Sequence, residues 1–151
     1  MDVKKFNSII DFAVERENEA VLFYQNLQKM VRFNGKIELL KNLENMEKGH
    51  IEILEQIRKS DFSNLEVPVV DSLKISDYLV PPQKEESELT YQDIIIIVMK
   101  REEASYKLYH TLSHNFSDAN TAKLFEKLAS EEAMHKLRFE EIYDQEILKD
   151  N

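Results

Sequence analysis

Glu47-Lys48-Gly49-His50 and Glu132-Ala133-Met134-His135 are one phrase, E-x-x-H, written twice at a separation of 85 residues. Working outward from it without a gap, the same shift lays Glu17 on Glu102, Tyr24 on Tyr109 and Arg16 on Arg101. It also lays Leu27 on Leu112, Leu43 on Leu128 and Ile57 on Ile142. Apolar and polar positions register together, so the chain reads as one helical hairpin used twice.

Helical periodicity places the elements. Ile9, Ile10, Ala13, Val14, Ala20, Val21, Tyr24 and Leu27 form one broad stripe, predicting a first helix over about 4–32. Phe33, Asn34 and Gly35 break it, with Gly35 suited to a left-handed cap, and a second helix is expected over about 36–59 with Ile37, Leu40, Leu43, Leu54 and Ile57 inward. The period then fails. All three prolines, Pro68, Pro81 and Pro82, fall in a connection over about 60–89, which has room for one short element near Ile75 to Val80. Thr90, with Asp93 three residues on, is a natural N-cap for a third helix over about 90–115, and a fourth follows over about 118–147. Two short-loop pairs joined by a long connection predict an all-α, single-domain four-helix bundle over 1–151, with a crossover between its second and third helices.

Four glutamates violate the patterning. Glu17 lies among Ile10, Ala13, Val14, Ala20, Val21 and Tyr24, and Glu47 among Leu40, Leu43, Ile51 and Leu54. Glu102 lies among Ile95, Val98, Met99, Tyr106 and Tyr109, and Glu132 among Phe125, Leu128, Ala129 and Phe139. Glu15, by contrast, keeps company with Ser8, Asp11, Asn18 and Glu19, a wet face. His50 and His135, three residues after Glu47 and Glu132, share their inward face. Burying four carboxylates costs several kcal/mol each unless they are protonated, paired or bound to cations. No core Lys or Arg is expected at their level, and two divalent ions with two neutral imidazoles would account for all six residues.

Composition narrows the field. With no cysteine, the chain has no disulfide, thiolate zinc site, iron–sulfur cluster or cysteine nucleophile. A net charge of -9 and the lack of a basic stripe argue against a nucleic-acid partner. The longest apolar run, Ile94 to Met99, is too short to span a bilayer, and Met1 to Phe6 do not resemble a signal peptide, so a cytoplasmic protein is expected.

At these residues the sequence resembles the ferritin-like superfamily, and within it the rubrerythrin-type di-iron domain. The resemblance is carried by Arg16 to Tyr24, Glu47 to His50, Met99 to Tyr109 and Glu131 to Phe139. It implies Glu17 and Glu102 as terminal carboxylates, Glu47 and Glu132 as bridging carboxylates, and His50 and His135 as one imidazole for each of two iron ions; manganese or a mixed pair would suit the same shell. It further implies a redox enzyme that reduces hydrogen peroxide or dioxygen, as part of oxidative-stress defence. Rubrerythrins proper add a rubredoxin with four cysteines; this chain has none, so electrons would come from an external donor protein. They also carry an extra glutamate one turn after the third-helix ligand, where this chain has Ser105, leaving a symmetric six-ligand set. Glu103 points about 100° away from Glu102 and is a poor substitute.

Other readings stand beside this one. An iron-binding, ferroxidase or storage protein would use the same ligands, although a homodimer is expected rather than a shell. A structural bundle would keep no metal. Tyr24 and Tyr109, two turns from Glu17 and Glu102, could hydrogen-bond the ligands or relay electrons, but core packing suffices to explain them. His110 and His114 read as surface residues near a helix C-terminus, Gly49 as a site of close helix approach, and Ile94 to Val98 as a buried helix start whose exposed part could supply a dimer face.

Overall fold

The computed structural model describes residues 3–59, 78, 88–116 and 118–148. It divides into two compact units, residues 1–73 with 115–121, and residues 74–114 with 122–151. Among the described residues there are four long helices and no strand.

In the first unit, α1 (Val3–Gln28) packs on α2 (Ile37–Arg58). Phe6, Ile9, Ile10, Ala13, Val21, Tyr24 and Leu27 of α1 are buried, as are Leu40, Leu43, Leu54 and Ile57 of α2. The α2 positions recur at alternating three- and four-residue steps once Glu47 and His50 are counted, which keeps one seam on α1 for the whole helix. Each large aliphatic or aromatic side chain sealed there contributes roughly 1.5–3 kcal/mol. The helices are antiparallel: Arg58 Nη1 reaches Asp11 at 2.7 Å at one end, while Gln25 and Gln28 donate to Glu44 at 3.0 and 2.8 Å towards the other.

The link between them departs from expectation. The first helix ends at Gln28, not near residue 32, because Lys29 and Met30 donate to Asn26 and Leu27 at 3.1 Å, tightening the last turn to i→i−3 bonds. Met30 is extended, and Val31–Lys36 form a 3₁₀ helix anchored by the fully buried Phe33. Phe33 continues the apolar period in sequence, which explains why the pattern overran the helix. Gly35 lies inside this 3₁₀ turn, and no described glycine has positive φ, so it is no left-handed cap.

In the second unit, α3 (Tyr91–Ser113) runs antiparallel to α4 (Ala119–Glu146). The Tyr91 hydroxyl reaches Glu146 at 3.3 Å, Lys136 lies 3.7 Å from Glu103, and Tyr109 stacks on Phe125 with centroids 6.4 Å apart. Thr90 caps α3 as its sequence indicates. Its hydroxyl accepts from the Asp93 amide at 3.1 Å, and Asp93 accepts from the Thr90 amide at 3.1 Å, two orphan donors satisfied at once. Asp118 caps α4, accepting from the Thr121 amide and hydroxyl at 3.0 and 2.6 Å. Ile94, Ile95, Ile97 and Val98 are all buried, so this run is core and supplies little outer face. The expected connection over about 60–89, with its short element, lies outside the described residues except for Tyr78, Glu88 and Leu89; the Tyr78 hydroxyl donates to Thr111 at 3.3 Å.

Gly49 is a second correction. A Cβ built there meets nothing within 4 Å, so no close helix approach requires the glycine. Gly49→Ala is therefore expected to raise stability by about 0.5–1 kcal/mol, through helix propensity and a less flexible unfolded chain, read as a higher denaturant midpoint at unchanged slope.

Glu44 forms a polar clamp between α1 and α2, accepting from Gln25, Gln28 and, at 2.7 Å, Lys48. These bonds, the Lys48 one foremost, lower its carboxyl from the usual 4.5 to about 2. Since the folded value lies below the unfolded one, the clamp's contribution is complete above about pH 4.5 and fades as pH falls towards 2. Glu44→Gln is expected to cost about 1 kcal/mol at pH 7 and almost nothing near pH 2, measured on metal-free protein by chemical denaturation.

Candidate metal centre

Each hairpin brings two carboxylates and one imidazole together in its interior. In the first, the buried stripe of α1 puts Glu17 level with Glu47 and His50 on α2, and all three are 1% exposed. His50 Nδ1 lies 3.5 Å from Glu17 Oε2 and 3.6 Å from Glu47 Oε2. One ligand atom from each of the three falls within 4.8 Å of the others. The second hairpin repeats the set: Glu102, Glu132 and His135 are 3%, 1% and 3% exposed, their ligand atoms are likewise within 4.8 Å, and His135 Nδ1 stands 3.6 Å from Glu102 Oε2. In both, Nδ1 is the imidazole nitrogen turned towards carboxylate, a choice that residue spacing alone does not make.

The electrostatics of the first trio call for positive charge. Burial pushes the Glu17 carboxyl well above the ordinary range, and the neighbouring Glu47 carboxylate pushes it further. Burial works against a proton on His50, yet hydrogen bonding and attraction from Glu17 and Glu47 prevail and raise it to about 11. Among the described residues no Lys or Arg is buried, so a proton on His50 is the one positive charge the first trio has of its own, set against two carboxylates. Oxygen and imidazole donors at this spacing fit a divalent iron, manganese or zinc ion, which would displace protons and supply the missing charge.

All six sequence-predicted ligands are therefore buried, three in each hairpin. Glu15 is exposed and pairs with Arg16 at 3.5 Å. Glu103 turns outward to Lys107 and Lys136, both at 3.7 Å. Tyr24 and Tyr109 are 2% and 1% exposed; Tyr24 meets Phe23 edge-on and Tyr109 stacks on Phe125, so aromatic packing is part of their role. His110 and His114 are exposed, with rings 4.5 Å apart, and neither joins a metal-binding group among the described residues. What patterning missed is the support around the ligands, chiefly the Glu44 clamp one turn before Glu47, whose members look like ordinary surface residues in sequence.

Four helices carrying buried glutamate–glutamate–histidine sets define an all-α carboxylate protein equipped to bind metal. The chain belongs to the rubrerythrin family, a ferritin-like di-iron family, whose model matches residues 8–143. No curated protein and no solved structure matches the chain. No helix among the described residues is long and apolar enough to cross a membrane.

Proposed function

We propose that Glu17, Glu47 and His50 hold one iron ion, that Glu102, Glu132 and His135 hold a second, and that the loaded protein reduces hydrogen peroxide, or dioxygen, with electrons from a separate donor protein. The observation that carries the reading is the pair of buried trios at matching positions of a repeated hairpin, with no buried Lys or Arg among the described residues to neutralise them. A ferrous pair supplies the two electrons that, with two protons, convert one peroxide into two waters.

The chain's own residues set the conditions for that chemistry. Glu17 and Glu102 project from α1 and α3, and the E-x-x-H pairs project from α2 and α4, so each ligand is held by a helix backbone rather than a loop. Apolar neighbours such as Leu43, Leu54, Leu128 and Phe139 keep bulk water from the carboxylates. These 151 residues hold no cysteine and so no thiolate iron to relay electrons, which supports a donor outside them.

The test is metal analysis of protein purified anaerobically, followed by stopped-flow mixing of the reduced form with peroxide and with air. Two irons per chain and faster oxidation by peroxide than by air are expected. Retention of no transition metal from iron-supplemented medium would overturn the reading. A large hollow assembly on gel filtration that accumulates iron would transfer the protein to storage.

A further inference from the structure

We propose that His110 and His114, at the exposed end of α3, form a metal site chemically distinct from the buried trios: a two-imidazole chelate for a borderline divalent ion such as zinc, nickel or copper. The two stand one turn apart on one face of the helix, both exposed, with ring centroids 4.5 Å apart. Tyr106, a further turn back, lies against the His110 ring at 5.5 Å. Beyond these ring contacts neither imidazole has a hydrogen-bond or ion-pair partner among the described residues, so its nitrogens are open to a ligand.

The turn that carries the pair is held from within. The buried Ser113 hydroxyl donates to the His110 carbonyl at 2.6 Å, the His114 amide donates to the Thr111 carbonyl at 3.3 Å, and the Tyr78 hydroxyl donates to that of Thr111 at 3.3 Å. The backbone between the two rings is thus set before an ion arrives, and each side chain has only its own rotations to adjust. The place also suits a cation, because α3 ends here on the negative pole of its dipole and the chain carries a net charge of -9. Lys107, on the same face three residues before His110, lies 3.7 Å from Glu103, which offsets its charge.

Donor chemistry selects the ion. Imidazoles without a carboxylate favour copper, nickel and zinc over magnesium, calcium and manganese, which prefer oxygen. No third ligand joins the pair among the described residues, so water completes the shell and the ion is exchangeable. The buried trios differ on both counts, being rich in carboxylate and sealed from bulk water. Nor does the internal repeat account for the pair: the shift of 85 residues sets Gln25 and Lys29 at these places in the first hairpin.

Calorimetric titration with nickel(II) of the full-length protein, as purified from iron-supplemented medium, tests this. The wild type is expected to take up one more nickel ion per chain than a variant without the pair. His110→Gln and His114→Gln should each weaken that binding at least about tenfold, since a lone imidazole loses its second attachment. Helicity and iron content should stay unchanged, because both side chains are exposed. Lys107→His on the His114→Gln background should restore binding, as positions 107 and 110 share a face. Gln145→His on that background returns the same number of histidines at the far end of the hairpin and should not. Nickel uptake indifferent to His110→Gln and His114→Gln, or equal recovery by the two added histidines, would overturn the proposal. Because the readout is the difference between wild type and variant, it holds whether or not the buried trios carry iron or turn over peroxide.

Discussion

Glu47→Ala and Glu132→Ala should each reduce bound metal from the proposed two ions per chain to about one, measured by elemental analysis after anaerobic purification, while Glu15→Ala keeps both. The contrast is one of position rather than residue type. Glu47 is 1% exposed and 3.6 Å from a buried imidazole nitrogen, whereas Glu15 is exposed and pairs with Arg16. Truncating either buried carboxylate removes a charged donor from a set of three, and a divalent ion left with one carboxylate and one imidazole is poorly neutralised. Helicity by circular dichroism should survive, because the apolar seams of both hairpins remain.

Removing the metal from the wild-type protein should lower its thermal midpoint by roughly 15–30 °C. Two sites saturated about a thousandfold above their dissociation constants add roughly 4 kcal/mol each, and a domain of this size shifts by about 2–4 °C per kcal/mol. The same reasoning has a counterpart in the metal-free protein. There Glu17 sits sealed beside Glu47, its carboxyl driven towards the neutral form by burial and by its neighbour. Glu17→Leu relieves that conflict with a side chain the surroundings can pack. It is expected to stabilise the metal-free protein by about 1–4 kcal/mol while removing the share of the metal-dependent gain that the first trio supplies. Calorimetry of the wild type and variant, with and without iron, reads both effects; a variant that loses stability in the metal-free state would show that the carboxylates are not under strain.

Much of this was legible before any coordinate. The repeat, the inward phase of the six ligands and the Thr90–Asp93 cap all follow from residue spacing, because helical geometry fixes which positions share a face and a capping box needs only two residue types at one interval. Helix ends were less legible. Phe33 keeps the apolar period while the backbone has already tightened into a 3₁₀ turn, since a buried aromatic satisfies the pattern in either conformation. Gly49 misled for a different reason: an absent side chain signals either a close neighbour or empty space, and only the structure distinguishes them. The partners of Glu44 were invisible because long polar side chains meet across helices at distances that sequence does not encode.

The Glu44 clamp also makes the two hairpins unequal. Its counterparts in the second repeat are Ala129 for Glu44 and Ala133 for Lys48, and there the helices are joined by the stack of Tyr109 on Phe125 and by Lys136 at 3.7 Å from Glu103. As pH falls from about 4.5 towards 2, acid therefore removes a buttress one turn before Glu47 that has no counterpart at the matching place in the second hairpin.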